Sequence, residues 1–258
     1  MKNLKSKIVF ITGATSGIGK AAAYKFAEIG ADLILTARRE NILNEIADDI
    51  KLKYSVNVHA MKMDVQNYED VKTKIESLDD KWKSFYILLN NAGLARGLAK
   101  VQDGSVQDWN EMIDTNVKGL LYVSKCIIPH MLKNNSGHVI NIGSIAGREV
   151  YPMGNVYCAS KHAVDAITKS MRMELIDTGI KVTTIDPGLV ETEFSLVRYH
   201  GDTEKAKSAY KGLTPLTPED IAESIIFAAT RNDNFVVAEM VLFPAAQAGT
   251  MVISRKEE

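Results

Sequence analysis

Cysteine is nearly absent: 258 residues contain two, Cys126 and Cys158, without CxxC spacing. That excludes a disulfide framework, and free buried thiols in a reducing cytosol are the expectation. The five histidines form no HxxxH or HExxH pair, so no metal site is expected. Neither sign of charge dominates, since 31 Lys and Arg face 32 Asp and Glu. A net charge near −1 gives no electrostatic reason to expect nucleic acid or an anionic membrane as partner. The most apolar late stretch, residues 235–253, is interrupted by Glu239, Pro244 and Gln247, too often to span a bilayer. The chain enters a strand-like run at once, leaving no room for a signal peptide. A cytoplasmic location is therefore expected. Internal repeats, low-complexity tracts and linkers are also missing.

What is present is an apolar fraction of 46%, enough for one large α/β domain over residues 1–258. Strand patterns fall near 7–12, 32–37, 57–63, 85–89, 138–142, 181–185 and 236–243. Helical patterns fill the gaps, near 17–29, 42–53, 68–80, 107–115, 117–133, 155–178 and 218–230. Thr217-Pro218-Glu219-Asp220 reads as a helix start, with a threonine cap, proline in the first position and acids in the first turn. Such alternation predicts a single doubly wound domain, a seven-stranded parallel sheet with helices on both faces. Ligands bind such sheets at the carboxyl ends of the strands. Gly13, Asp64, Asn91, Ser144 and Pro187 each follow a strand and should converge on one edge.

Three of these strand ends carry chemistry. Gly13-Ala14-Thr15-Ser16-Gly17-Ile18-Gly19 follows the first strand and opens a helix. Free backbone N–H groups and the helix dipole make such a turn an anion site, and glycine allows close approach. No Lys-Ser/Thr follows the last glycine, so it is not a P-loop. Asn90-Asn91-Ala92-Gly93 follows the fourth strand and Gly143-Ser144 the fifth. Asn116 lies on a helix between them. Thirteen residues after Ser144 comes Tyr157-Cys158-Ala159-Ser160-Lys161. On a helix this spacing stacks Tyr157 and Lys161 on one face. An ammonium there favours the phenolate, which would make the tyrosine a usable acid and base near neutral pH.

These motifs, with Pro187-Gly188-(x)3-Thr192, resemble the short-chain dehydrogenase/reductase family, in family order and over essentially the whole chain. Asp114-Thr115-Asn116, Asn141 to Arg148, Pro187 to Arg198 and Leu216 to Asp220 are most similar to its NADP-dependent 3-hydroxy acid dehydrogenase (serine 3-dehydrogenase) group. The resemblance implies a Rossmann-type NADP enzyme acting on a CH–OH group, with Asn116, Ser144, Tyr157 and Lys161 as the catalytic tetrad. Tyr157 would exchange a proton with the substrate oxygen while hydride moves between nicotinamide and substrate carbon. Ser144 would hydrogen-bond that oxygen, Lys161 would lower the tyrosine's pKa and bind the ribose, and Asn116 would anchor a water relay. Gly13, Thr15, Ser16 and Ile18 would hold the pyrophosphate loop, Asp64 and Val65 the adenine, and Asn91 the ribose. Pro187, Gly188, Val190 and Thr192 would hold the carboxamide. Cys158 is expected to be a buried spectator on the opposite side of the helix. A homotetramer and a small-molecule substrate are also implied.

An NAD enzyme needs an acid at the end of the second strand for the ribose 2′-hydroxyl, whereas a 2′-phosphate calls for arginine. Here Ala37-Arg38-Arg39 stands at that end. Cations at a helix N-terminus oppose its dipole, and guanidinium suits a phosphate. NADP is the expected cofactor, held mainly by Arg38 with Arg39 in support. Ser16, where many NADP-preferring relatives carry a basic residue, adds no charge. The expected reaction interconverts a small 3-hydroxy acid and its 3-oxo form. Its carboxylate needs a cation: Arg148 or Arg198, with Arg96 a weaker candidate. A general carbonyl or 3-oxoacyl reductase, or an NADP-binding regulatory protein without catalysis, are the alternatives. Residues 193–214, weakly periodic with Gly201 and Gly212, are expected to form a substrate lid.

Overall fold

The structure, a computed structural model, describes residues 2–256. Seven strands form one parallel sheet in the order β3-β2-β1-β4-β5-β6-β7. These are β1 (Ile8–Thr12), β2 (Asp32–Ala37), β3 (Val58–Lys62), β4 (Phe85–Asn90), β5 (Gly137–Ile142), β6 (Ile180–Pro187) and β7 (Glu239–Leu242). The chain winds outward from β1 to β3, then crosses to β4 on the other side of β1. This reversal opens a crevice beyond the carboxyl ends of β1 and β4.

Alternation along β1 feeds two cores, since successive side chains point to opposite faces. Val9 and Ile11 pack with α1 (Gly17–Glu28), α2 (Glu40–Tyr54) and α9 (Pro218–Ala229). Ile8 and Phe10 pack with α3 (Tyr68–Glu76), α5 (Leu120–Lys133) and α6 (Asn155–Glu174). Both faces are covered, which is why the central strands read as unbroken apolar runs. The helix start at residue 217 is as expected: Thr217 and Asp220 form a reciprocal capping box with Pro218 in the first turn.

Residues 106–133 differ from the expected pair of separate helices. They form a continuous run, in which α4 (Val106–Ile113) leads through a wide π-helical turn, Asp114–Gly119, into α5. Such turns insert an extra residue and often mark functional sites. Asn116 lies within this one. Residues 193–214 contain two short helices, α7 (Phe194–Arg198) and α8 (Thr203–Ser208). Among the described residues, no helix is long and apolar enough to cross a membrane.

His138 on β5 is a buried polar group with consequences for stability. Thr183 spends its hydroxyl proton on the Val237 carbonyl at 2.6 Å, so Nε2 of His138 must donate to Thr183 Oγ1 at 2.7 Å. Nδ1 is left bare. Burial lowers the imidazole to about 3, so the native state keeps it neutral where an unfolded chain would take up a proton. Below about pH 6.5 the unfolded state therefore binds more protons, and stability falls toward pH 3. Urea midpoints measured across this window should show that slope, and His138→Gln should flatten it.

Candidate active site

Two loops at the crevice are locked together by a threonine. Thr12 Oγ1 accepts the N–H groups of Asn91 at 3.0 Å and Ala92 at 2.9 Å. Asn91 in return donates Nδ2 to the carbonyls of Thr12 and Gly13 at 2.9 and 3.1 Å. The fit leaves no room at Gly19, where a methyl group would sit 2.4 Å from Asn91 Nδ2. Gly13 turns the chain with φ +68°, a conformation that glycine adopts without strain. Ser16 then starts α1 without capping it through its side chain. The first N–H groups of this helix therefore lack a side-chain partner and are free for an anion.

The crevice is a cleft of about 530 Å³, and every residue expected to hold the cofactor lines it. Arg38 lines its β2 end with no hydrogen bond or ion pair among the described residues. Arg39 is engaged: it donates to Thr15 Oγ1 at 3.1–3.2 Å and pairs with Glu193 at 3.0 Å. Of the two, Arg38 is the one that no acid pairs with among the described residues. Arginine at the strand end, an uncapped helix N-terminus and a glycine turn together fit a dinucleotide bearing a 2′-phosphate.

At the other end of the same cleft stand Ser144, Tyr157 and Lys161. Ser144 Oγ accepts the N–H of Ala146 at 3.1 Å, which fixes the side chain at the end of β5. Lys161 is buried and donates Nζ to the Ile142 carbonyl at 2.9 Å. Desolvation lowers its pKa to about 8, against a raising effect of Asp186. Tyr157 is buried too, and its ring meets Phe194 edge-on at 5.5 Å. Burial raises the phenol's pKa, while the Arg198 charge and a hydrogen bond with Ser144 pull it back down. Arg198 is thus one cation acting on Tyr157, while Lys161, one helical turn on, places one of its three N–H groups on the Ile142 carbonyl.

Asn116 completes the cluster from beneath and does not line the cleft. Oδ1 accepts the Leu94 N–H at 2.8 Å, and Nδ2 donates to the Leu94 carbonyl at 2.8 Å and Ser160 Oγ at 3.0 Å. It ties the loop after β4 to α6. A methyl on Gly93 would lie 3.3 Å from Asn116 Oδ1 and 3.5 Å from Lys161 Nζ, so these groups close tightly around it.

Residues 7–201 match the short chain dehydrogenase family. This chain belongs to that family. It is 46% identical to an NADP-dependent 3-hydroxy acid dehydrogenase of Schizosaccharomyces pombe over 258 residues, 100% of both chains. It is 42% identical to sulfoacetaldehyde reductase 2 of Chromohalobacter salexigens, over 94% of this chain and 96% of that one. A serine dehydrogenase solved in its closed form with NADP+ superposes with a TM-score of 0.90, at 38% identity, over 97% of this chain and 100% of that one. As a short-chain dehydrogenase it is an oxidoreductase acting on a CH–OH group.

In this dehydrogenase the expected substrate arginines part company. Arg148 is not in the cleft. Its Nε and Nη2 grip Asp186 at 2.8 and 2.6 Å, and Nη2 also reaches Glu239 at 2.6 Å. Asp186 is 2% exposed and packs beneath Gly143, where a methyl would overlap its carboxylate. A carboxylate so buried needs a cation, and Arg148 is spent on it. Arg96 is spent as well, forked onto Glu111 at 2.8 and 2.9 Å and donating to the Val197 carbonyl at 2.8 Å. Arg198 does line the cleft. Its Nη2 donates to the Tyr151 hydroxyl at 2.9 Å, and no acid pairs with it among the described residues. Its Nε is buried without a partner.

Cys158 is 1% exposed and packs among Leu94, Ala95 and Met112, with burial pushing its thiol up. Tyr157 belongs to the same apolar cluster but also lines the cleft, which Cys158 does not. Three cleft residues had escaped sequence reasoning. Tyr151 and Phe194 flank Tyr157; Tyr151 carried no motif, and Phe194 lay inside the Pro187 to Arg198 stretch without being assigned a role. Gln247 had a signal, as an amide inside an apolar stretch: it is 6% exposed, and Oε1 accepts the Leu189 N–H at 2.9 Å.

Proposed function

We propose that this dehydrogenase interconverts a small 3-hydroxy acid and its 3-oxo form, with NADP as cofactor. Arg198 carries the reading: an unpaired guanidinium beside Tyr157 and Ser144 suits a substrate anion a short distance from the reacting hydroxyl. The names of two relatives agree with an anionic head, a 3-hydroxy acid in one and sulfoacetaldehyde in the other.

When bound, the nicotinamide gives or takes the hydride. The chain's own residues do the rest. Tyr157 passes the proton to or from the substrate oxygen. Ser144 donates to that oxygen and offsets the charge developing there. Lys161 serves the ribose side of the same helix face, and Asn116 holds α6 and the loop at residue 94 in register. Gly13, Thr15, Ser16 and Ile18 hold the pyrophosphate, Asp64 and Val65 the adenine, Asn91 the ribose. Pro187, Gly188, Val190 and Thr192 hold the carboxamide.

Residues 193–214 act as the closing segment, since Phe194 and Arg198 on α7 cover Tyr157. The assembly is a homotetramer in this reading, supported by exposed Leu121 and Leu132 on α5 and Met173 on α6. The two free thiols suit a cytoplasmic location.

A substrate panel with NADP or NADPH, followed at the nicotinamide absorbance, tests the function. Free 3-hydroxy acids should exceed their esters and uncharged alcohols in kcat/KM. Faster thioesters or uncharged carbonyl compounds would assign a general reductase instead. Arg38→Asp should lower the preference for NADP over NAD at least about tenfold, because a hydrogen bond to a charged group contributes about 1.5–3 kcal/mol. An unchanged ratio of catalytic efficiencies would remove Arg38 from the phosphate site.

A further inference from the structure

Arg198 faces Tyr157 with a charge that no acid among the described residues pairs with. Its Cζ lies 5.0 Å from the centre of the Tyr157 ring, 5.1 Å from that of Phe194 and 5.9 Å from that of Tyr151. A cation over an aromatic face is attracted by the ring electrons. A phenolate ring is richer in electrons than a phenol, so the attraction grows when Tyr157 loses its proton. The charge therefore favours ionisation.

The placement is built into the fold. The Tyr151 hydroxyl holds Nη2 at 2.9 Å. The Arg198 carbonyl accepts the Gly97 N–H at 2.8 Å, and the preceding carbonyl, of Val197, accepts Arg96 Nη1 at 2.8 Å. Arg96 is itself clamped by Glu111. Three attachments thus fix a guanidinium that begins on a short surface helix and ends over the ring.

The other groups around Tyr157 bear on it differently. On α6, Lys161 is a second cation on the same helix face, which donates a hydrogen bond to the Ile142 carbonyl and feels Asp186, and Cys158 is a buried thiol whose pKa is raised. Before α6, Tyr151 is held neutral by burial. From β5, Ser144 contributes a hydroxyl, and from α7 Phe194 contributes only its ring.

We propose that Arg198 is a positioning residue for proton transfer: clamped over Tyr157 by Tyr151, it adds a cation, beside that of Lys161, that favours the tyrosine's base form while α7 is seated. This role is separate from holding a substrate carboxylate, and an uncharged substrate separates the two.

The test is the pH profile of kcat/KM for oxidation of an uncharged secondary alcohol at saturating NADP+. Tyr157 must be ionised to accept the proton, so the profile rises with pH through its ionisation. In Arg198→Met the rising limb should move to higher pH, with a larger loss of rate below the limb than above it. Arg198→Lys should bring the limb back toward the wild-type position. Tyr151→Phe keeps the ring and loses only the clamp, and should move the limb in the same direction by less. NADPH titration by fluorescence establishes that each variant retains its cofactor cleft. A limb at the wild-type pH in both Arg198→Met and Tyr151→Phe, whatever the drop in rate, overturns the proposal. So does a limb in Arg198→Lys that stays with that of the methionine variant. Because the alcohol carries no charge, any of these results leaves the hydroxy-acid reading untouched.

Discussion

Tyr157→Phe is expected to lower turnover by about 10²–10⁴-fold, the usual contribution of a positioned acid or base, while NADPH still binds. Phenylalanine keeps the ring, and with it the edge contact to Phe194 and the seat beneath Arg198. What disappears is one hydroxyl. Ser144 cannot replace it, since an aliphatic hydroxyl does not ionise in this pH range. Lys161 stands one helical turn away, with Nζ on the Ile142 carbonyl, and serves the ribose side in this reading. Single-turnover rates beside cofactor fluorescence give the comparison. Retention of more than about a tenth of wild-type turnover is incompatible with a proton-transfer role.

Arg198→Met is expected to raise KM for 3-hydroxy acids far more than for uncharged alcohols. Breaking one side of a buried charge pair costs about 3–5 kcal/mol. Arg198 is half-buried, so a roughly ten- to hundredfold selective loss is the expected range, at about 1.4 kcal/mol per factor of ten. Arg148→Met is the matched control. It should leave the ratio between the two substrate classes unchanged, because Arg148 grips Asp186 and Glu239 outside the cleft. It should instead destabilise folding by on the order of 3 kcal/mol, by leaving Asp186 buried and unpaired. Steady-state kinetics on both classes and a denaturant titration read the two effects apart. Equal losses for acids and alcohols in Arg198→Met would move the assignment to a general carbonyl reductase.

Much of this enzyme could be read along the chain because its determinants are local. An unbroken apolar strand, a glycine turn and a helix start lie within residues 8–28, so backbone sterics and the helix dipole specify the anion site without help from distant residues. The same holds for Tyr157 and Lys161, one helical turn apart on α6. Parallel sheet order also follows, since right-handed crossovers and apolar strands buried on both faces leave few alternatives. The π-helical turn at Asn116 could not be read this way. Its side chain is satisfied by Leu94 and Ser160, which are remote in sequence.

The arginines show where local reading ends. Arg96, Arg148 and Arg198 are alike as residues, each at a comparable distance from a motif. Which charge stays free depends on which carboxylates the fold buries nearby. Asp186 under Gly143 takes Arg148, and Glu111 on α4 takes Arg96. Arg198 is left facing Tyr157, held by a hydroxyl and three rings in place of an acid. The sequence by itself determined the sheet, the anion-binding turn, the arginine end of β2 and the Tyr–Lys pair, all from neighbours within a turn or a strand. Only the tertiary structure decided which cation remains unpaired at the site, because charge pairing is settled by side chains that the chain brings together from far apart.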